Sequence, residues 1–334
     1  MAEGAGGVVI EIAENGRHLA LDRGFMVVKG DGREIGRVPL DDLAVLVCTA
    51  DGLTYSNNLL LALLERDCAV VLCGRNFSPA AILWPVDGHH VQARRMRAQA
   101  DMTEAAKGRL WQVITRAKIR TQGAVLESLG VPAGAFVELA KKVRSGDPEN
   151  IEAQAARRYW PLLFGMEFRR DSDHPGTNSL LNYGYAILRG GTARAVASAG
   201  LHPTLGLKHS NRGNPMCLVD DLMEPFRPLV DILVHRMVRE GRGEVDRDTK
   251  RELAGVLVRD MRTEAGVTPL ATCLFRLTFS LAQLLLGERK VLDLPLLPLP
   301  LDLVVSPTGK EDAHGAQRVS ASSCLPAECR KRKK

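Results

Sequence analysis

The spacing of apolar residues changes near residue 90, and this change constrains the fold more than any other feature of the chain. Between residues 8 and 84, short apolar runs are separated by the turn pairs Asn15-Gly16, Arg23-Gly24 and Asp31-Gly32, a pattern typical of β-strands joined by hairpins. From Val91 onward the apolar residues recur three, four and seven positions apart, which indicates amphipathic helices. The sequence therefore predicts an α+β fold, with a small N-terminal β-rich domain followed by a larger all-α domain.

The same patterns give the expected elements and domain boundaries. A short helix is expected to open at Ser56 or Asn57 and to end near Arg66, because Ser and Asn are good N-caps. The three expected regions are 1–90, 91–302 and 303–334. The expected strands are 8–12, 18–21, 25–28, 43–47, 68–73 and 80–84, and the expected helices are 93–130, 151–165, 177–195, 221–240, 248–265 and 269–287.

Charge is distributed unevenly along the 334 residues. Residues 1–90 carry 7 Lys and Arg against 12 Asp and Glu, whereas the remainder carries 38 against 27. An acidic first part joined to a basic second part suggests that the second part meets a polyanion. A basic balance is also common in proteins that bind no nucleic acid, so charge alone leaves both interpretations open.

The C-terminal segment from 303 is polar and ends in Arg330-Lys-Arg-Lys-Lys334. We expect a flexible basic tail, which either adds nonspecific affinity for nucleic acid or only keeps the protein in solution. An RNA-binding arm is a further reading of the same run.

Cysteine usage and hydropathy bear on the compartment. The seven cysteines are odd in number and scattered, and no pair has the CxxC spacing of a redox or zinc motif. No export signal is visible at the N-terminus. The most apolar stretch, Leu270 to Leu286, is short for a membrane span and is interrupted by Arg276 and Gln283. We therefore expect a cytoplasmic protein with neither disulfides nor a membrane span.

One Gly- and Pro-rich segment, residues 200–228, combines histidines with a cluster of acids. His209 lies in a predicted loop that leads to Asp220, Asp221 and Glu224. Pro225 requires a helix that has barely begun, with Val219 or Asp220 as its expected start. Carboxylates and an imidazole suit Mg²⁺ or Mn²⁺. A capped helix start with an incidental surface histidine is an equally good reading of this segment alone.

Two further segments and one helix contain candidate residues. Glu152 falls in the first turn of a helix that Asn150 can cap, where an acid often only complements the helix dipole. The basic residues of the 93–130 helix, Lys118 among them, are expected to form a solvated face. Asn182, Tyr183 and Tyr185 are expected to be helix-packing residues, with the tyrosine hydroxyls bonded to backbone groups.

Together, four ordered blocks resemble a known family. They are Glu-Ala-x-x-Ala-x-x-Tyr-Trp at 152–160, Asn-x-Leu-Leu-Asn-Tyr-Gly-Tyr-Ala-Ile-Leu at 178–188, Gly-Leu-His-Pro-x-Leu-Gly-x-x-His at 200–209 and Asp-Leu-Met-Glu-Pro-Phe-Arg-Pro at 221–228. The chain thereby resembles the CRISPR-associated endonuclease/integrase that captures spacers, most closely the type II branch, over roughly residues 8–290.

The resemblance implies that Glu152, His209 and Glu224 are catalytic residues that bind Mg²⁺ or Mn²⁺, with Asp221 in a supporting role. Glu224 is Asp in some members of the family. The implied reaction is transesterification, in which a DNA 3′-hydroxyl attacks a phosphodiester at the edge of a CRISPR repeat. The implied fold, a β-rich domain before a helical catalytic domain, agrees with the pattern of the sequence. Basic residues near the implied site, Arg157, Arg158, Lys208 and Arg212, are the candidates for contacting phosphates of the double-stranded DNA.

The resemblance also implies partners. The family forms homodimers bridged by a small dimeric adaptation protein, which gives a heterohexamer, and the type II effector nuclease can contribute to acquisition. The acidic β-rich domain is the expected dimerisation surface, because it need not approach DNA. Two other functions stay open at this stage: a standalone metal-dependent nuclease of branched DNA, and a noncatalytic DNA-binding scaffold.

Overall fold

The computed structural model describes residues 8–66, 68–74, 79–83, 92–264, 266–296 and 298–303. The expected basic tail therefore lies, from residue 304 onward, outside the described residues. The first part of the chain contains β1 (Val8–Ile12), β2 (His18–Asp22), β3 (Phe25–Gly30), β4 (Arg33–Pro39), β5 (Leu43–Cys48), β6 (Thr54–Tyr55), α1 (Asn57–Leu64), β7 (Ala69–Cys73) and β8 (Pro79–Leu83).

The second part is mainly helical. Short 3₁₀ turns occur at Glu224–Phe226 and Gly255–Val258. The helices and strands are α2 (Gln92–Ala100), α3 (Glu104–Ser128), α4 (Gly134–Lys142), α5 (Ile151–Phe164), α6 (Thr177–Ser198), α7 (Cys217–Met223), α8 (Arg227–Arg239), α9 (Arg247–Ala254), β9 (Asp260–Thr263), β10 (Gly266–Pro269) and α10 (Leu270–Leu285).

The N-terminal strands form two four-stranded sheets. One has the order β1-β5-β7-β8, with β1, β5 and β7 parallel and β8 antiparallel to β7. The other has the order β4-β3-β2-β6, in which β2, β3 and β4 are antiparallel. The glycines of the predicted turn pairs, Gly16, Gly24 and Gly32, all have a positive φ, as tight turns of this kind require.

Strand β5 joins the two parts of the chain, because its side chains alternate between two cores. Val45 and Val47 are buried in the same core as the helices, whereas Leu46 is buried in the core between the two sheets. Helix α6 lies close against this sheet: a Cβ on Gly190 would be 3.1 Å from Cγ1 of Val45. The buried α6 therefore packs against β5 on one side and against α7, α8 and α10 on others.

The α+β class predicted from the sequence is confirmed, and several boundaries are corrected. The expected helix 248–265 is wrong in its second half: α9 ends at Ala254, and a two-stranded β9–β10 hairpin follows. Gly266 at the turn has φ 112°, which only glycine adopts readily, and β-branched residues in the strands favour extended backbone. The division of the chain at residue 90 stays a prediction.

Other differences concern helix lengths. The expected helix 93–130 is two helices, because Thr103 caps α3 by accepting a hydrogen bond from the backbone N–H of Ala106. Helix α4 and strand β4 were not anticipated. Among the residues that the structure describes, no helix has both the length and the apolar character needed to cross a membrane.

Candidate active site

Four charged side chains from separate elements meet at one point in the helical part. Nζ of Lys118, in the middle of α3, lies 2.6 Å from Oε1 of Glu152 and 2.6 Å from Oε2 of Glu224. Nε of Arg227 lies 3.1 Å from Oε1 of Glu224. Side-chain exposure is 27% for Glu152, 13% for Lys118 and 5% for Glu224, so the group is open to solvent on the Glu152 side.

Glu152 is held in the first turn of α5 by a different residue from the one expected. The backbone N–H groups of Ile151 and Glu152 donate to the carboxylate of Asp147, at 2.9 and 3.0 Å. Asn150 occupies the N-cap position but makes no side-chain cap. The expectation that Asn150 caps α5 is therefore wrong: Asp147 reaches back from the preceding turn and takes the helix N–H groups instead.

Glu224 owes its position to Pro225. Helix α7 begins at Cys217, before the Val219 or Asp220 start that the sequence suggested, and ends at Met223. Proline has no N–H and its ring clashes with the carbonyl four residues earlier, so the α-helix cannot continue. The chain instead forms the 3₁₀ turn Glu224–Phe226, at the start of which the backbone N–H of Glu224 donates a hydrogen bond to the carbonyl of Asp221.

His209 is positioned by Asp221, which is fully buried. Nδ1 of the imidazole lies 2.5 Å from Oδ1 of Asp221, and the half-exposed ring packs edge-on against Trp111. The same carboxylate accepts the backbone N–H groups of Leu207, Lys208 and His209. Asp221 therefore fixes both the loop and the ring, and its contact with Nδ1 leaves Nε2 available for a ligand.

Gly206 makes this loop possible. A Cβ at Gly206 would lie 2.5 Å from the carbonyl oxygen of His209 and 2.9 Å from Oδ2 of Asp221. Because the first of these atoms is backbone, Gly206→Ala must displace the loop that carries His209. We expect Gly206→Ala to lower the DNA cleavage and joining that the sequence resemblance implies at least about tenfold, since a displacement of about 1 Å can cost about a hundredfold.

Gly213→Ala is the matched control for this prediction, because Gly213 lies in the same segment with no neighbour closer than 3.5 Å. Activity of both variants would be compared with the wild type under identical conditions. Equal activity of the Gly206 and Gly213 variants would show that the position of His209 does not matter.

The charges in the site balance one another. Burial alone would raise the pKa of Glu224, but Arg227 and Lys118 outweigh it and the pKa is lowered. Burial would lower the pKa of Lys118, but Glu224 and Glu152 raise it. The hydrogen bond to Asp221 raises the pKa of His209. Glu224, Lys118 and Arg227 are therefore charged together in a largely buried place beside Glu152.

Behind these charges lies a buried acid, Asp231. It accepts a hydrogen bond from the hydroxyl of Tyr185, which also lies under the guanidinium of Arg227. Burial raises the pKa of Asp231 to about 7, although the hydroxyls of Tyr185 and Tyr159 lower it. The tyrosine thus contacts a side-chain acid rather than a backbone group, which corrects the expectation for Tyr185.

A pH dependence of stability follows from the raised pKa of Asp231. The native state binds this proton more tightly than the unfolded state, so Asp231 stabilises the fold at low pH and loses that contribution as the pH rises through about 7. Between pH 5 and pH 8, the free energy of unfolding of the wild type should fall by about 2 kcal/mol more than that of Asp231→Asn. Urea unfolding at several pH values measures this, and parallel pH profiles of the two proteins would contradict it.

The remaining sequence candidates have other partners or are exposed. Asp220 pairs with Arg189 through both carboxylate oxygens, at 2.7 and 2.9 Å. The hydroxyl of Tyr183 donates a hydrogen bond to Glu11. The side-chain oxygen of Asn182 accepts a hydrogen bond from Arg170, and its amide nitrogen donates to the carbonyl of Ser172. The four DNA-contact candidates are exposed: Arg157, Arg158, Lys208 and Arg212.

Lys118 is the member of this charged group that the sequence did not reveal. It was assigned to a solvated face together with Arg116 and Arg120, yet Lys118 is largely buried and lies between two acids. The helical periodicity of α3 gives a weak signal: Lys118 lies four residues after Ile114, which is fully buried, and therefore on the same face of the helix.

The donor set fits a divalent cation of the Mg²⁺ or Mn²⁺ type. Two carboxylates converge on one positively charged atom, and an imidazole held at Nδ1 lies in the adjacent loop. Oε2 of Glu224 is buried and lies 2.6 Å from Nζ of Lys118, so a positive charge already occupies the position beside this oxygen. With the side chains as they stand in the described part of the chain, no three acidic, His or Cys groups surround a single point.

Comparisons with known proteins identify relatives. A family model described as CRISPR associated protein Cas1 matches residues 10–265. The CRISPR-associated endonuclease Cas1 of Neisseria meningitidis serogroup C (strain 8013) is 38% identical over 233 residues, which are 69% of this chain and 76% of the relative.

Two solved structures share the fold. A casposase bound to integration product has a TM-score of 0.74 at 18% identity, covering 86% of this chain and 92% of that chain. A chain of a Cas6-RT-Cas1–Cas2 complex has a TM-score of 0.62 at 18% identity, covering 85% of this chain and 35% of that chain.

Proposed function

The chain belongs to the Cas1 family of CRISPR-associated proteins, and on that premise we propose that it is a metal-dependent DNA endonuclease/integrase of CRISPR adaptation. The family predicted from the four sequence blocks is thereby confirmed. The proposed reaction joins the 3′-hydroxyl ends of captured DNA to the CRISPR repeat. The observation that carries the proposal is the convergence of Glu152 and Glu224 on one cationic atom, beside an oriented His209.

In this proposal Glu152, Glu224 and Nε2 of His209 would hold the divalent ion. When bound there, such an ion neutralises charge on the phosphate and lowers the pKa of the attacking hydroxyl. Asp221 keeps the imidazole in the orientation that presents Nε2. Arg227 supplies a fixed positive charge beside Glu224, and a fixed charge of this kind stabilises the negative charge that develops on a phosphodiester under attack.

DNA would approach the exposed side of this group. Arg157 and Arg158 follow Glu152 on α5, and Lys208 and Arg212 flank His209; all four are exposed. Long, exposed basic side chains on the helix of Glu152 and in the loop of His209 suit the phosphates of a duplex, whose binding then depends strongly on salt concentration. Sequence preference would come from DNA deformability and partner proteins rather than from base contacts.

Partners are part of the same proposal. One neighbour in fold is a chain of a complex that contains Cas2, which supports a small dimeric adaptation protein as the partner of this chain. We further propose a homodimer formed through the N-terminal β-rich part, assembled with that partner into a heterohexamer, with the type II effector nuclease as a possible additional factor. Since the substrate is chromosomal and invading DNA, we place the protein in the cytoplasm.

A strand-transfer assay tests the proposed function. Purified full-length protein, the small partner and Mn²⁺ or Mg²⁺ would be mixed with a supercoiled plasmid carrying the repeat and a labelled duplex with free 3′-hydroxyls. We expect the label to become joined to the plasmid, and an otherwise identical duplex with 3′-deoxy ends to give no joined product. Relatives of this chain are named endonucleases, and cutting without joining would favour a standalone nuclease. DNA binding without cutting or joining would favour a noncatalytic scaffold.

A further inference from the structure

We propose that Lys118 is an internal counter-ion that occupies the cation position between Glu152 and Glu224 until a divalent metal ion displaces it. The inference rests on the proposed function, because it concerns the same two carboxylates. It assigns to Lys118 a positioning role: the ammonium keeps the two acids together in the metal-free protein, and it competes with the ion that the acids bind.

The ammonium of Lys118 lies where a metal ion shared by the two acids would lie. A divalent ion coordinated by both carboxylates lies roughly 2.0–2.6 Å from an oxygen of each. Nζ of Lys118 already lies 2.6 Å from Oε1 of Glu152 and 2.6 Å from Oε2 of Glu224. A metal ion ligated by these two oxygens would occupy the space that the ammonium fills. The ammonium and the ion therefore exclude each other.

Burial makes a positive charge necessary between the two carboxylates. Glu224 is 5% exposed and Lys118 13% exposed, so two carboxylates facing each other here require a cation. Arg227 reaches Glu224 through Oε1, which leaves Oε2 to Lys118. Glu152 makes one ion pair among the described residues, and its partner is Lys118. Removing the ammonium leaves an acidic position that a divalent ion is well suited to fill.

The ammonium makes fewer contacts here than a metal ion would. Lys118 donates a hydrogen bond to Glu152, and its Nζ lies 2.6 Å from Oε2 of Glu224. The ammonium therefore contacts one oxygen of each acid. An ion that coordinates both carboxylates together with His209 gains the imidazole as a third ligand.

A purely structural ion pair makes the opposite prediction. If Lys118 only ties α3 to α5 and to the 3₁₀ turn, replacing it lowers stability and leaves metal affinity unchanged or weaker. If Lys118 competes with the metal, the same replacement strengthens metal binding.

The experiment is a calorimetric titration of Mn²⁺ alone onto the full-length wild type, Lys118→Met and Lys107→Met. Methionine keeps the length of the side chain and its helix propensity while removing the charge. Lys107 is the matched control, because it lies on the same helix and pairs with Glu104 at 2.8 Å away from the site. We expect Lys118→Met to bind Mn²⁺ about tenfold or more tightly than the wild type, and Lys107→Met to bind like the wild type. Equal or weaker binding by Lys118→Met overturns the inference.

A second measurement uses the wild type, so that it does not depend on the folding of a variant. Lysine-specific chemical labelling with mass-spectrometric readout should show Lys118 reacting severalfold faster with Mn²⁺ than without it, and Lys107 unchanged. Unchanged protection of Lys118 in Mn²⁺-saturated protein overturns the inference. Failure of the proposed metal site is distinguishable, because then neither the wild type nor Lys118→Met binds Mn²⁺ at all.

Discussion

Glu152→Gln should reduce strand transfer by about a thousandfold or more while leaving the fold intact, which is the scale of loss for residues that act as one catalytic unit. Glutamine has the same shape as glutamate but carries no charge, so it weakens the binding of a divalent ion and leaves the backbone contacts of the turn in place. Glu152 is the best placed of the three proposed ligands for this substitution, because it is more exposed than Glu224 and its loss leaves less buried charge. The measurement is the yield of joined product over time, with and without the small partner.

Glu149→Gln is the matched control for Glu152→Gln. Glu149 lies in the turn just before α5 and pairs with Arg144 at the surface, where an ion pair contributes little. Both variants should melt at nearly the wild-type temperature, and Glu149→Gln should join DNA like the wild type. Retention of more than about a tenth of the activity by a folded Glu152→Gln protein would remove Glu152 from the proposed chemistry.

Asp221→Asn should have the second large effect, on metal binding and stability together. The Asp221 carboxylate accepts the N–H groups of Leu207 and Lys208 at one oxygen and contacts the backbone N–H and Nδ1 of His209 at the other. An amide replaces one oxygen by a donor, so one pair of these groups loses its acceptor in a fully buried place. We expect about 2 kcal/mol or more of lost stability, and a 10- to 100-fold loss of Mn²⁺ affinity, since loss of the group that orients a ligand typically costs about that much.

Asp220→Asn separates the two effects. Asp220 is the neighbouring acid and is also ion-paired, but its partner is Arg189 rather than His209. Its replacement should lower stability without weakening Mn²⁺ binding, as urea unfolding and calorimetry would measure. If the Asp220 and Asp221 variants bind Mn²⁺ equally well, orientation of His209 by Asp221 plays no part in metal binding.

Much of the fold could be predicted because its periodicity is local. The alternation of β5, with Val45 and Val47 on one side and Leu46 on the other, already indicates a strand between two cores. The β9–β10 hairpin escaped prediction because its strands are short and follow α9 without an apolar pattern of their own. Its turn depends on one backbone angle, that of Gly266.

The candidate site was only partly readable from sequence. Glu152, His209, Asp221 and Glu224 were identified by resemblance, and the structure brings Glu152 and Glu224 to one cation and His209 to Asp221. Lys118 could not be identified in this way, because its burial is created by acids 34 and 106 positions away in the chain, on elements that meet only in the fold. A lysine on a helix otherwise suggests a solvated face.

Asp147 escaped prediction for a related reason. It acts as the cap of α5 from a left-handed backbone conformation, with φ 51°, that the sequence pattern does not reveal. Asn150, the residue that propensity favours, has φ 52° and makes no side-chain hydrogen bond to the helix N–H groups. A propensity rule selects the residue type, whereas the path of the turn decides which side chain reaches the helix end.

We propose that Glu152, His209 and Glu224 bind one divalent ion. An anomalous-difference map from crystals of the full-length protein grown with Mn²⁺ tests it most directly. We predict a single strong peak at roughly 2.0–2.6 Å from a carboxylate oxygen of each glutamate and from Nε2 of His209. We also predict that the ammonium of Lys118 no longer lies between the two acids. A map without manganese at these three side chains, from a preparation that joins DNA in Mn²⁺, would contradict it.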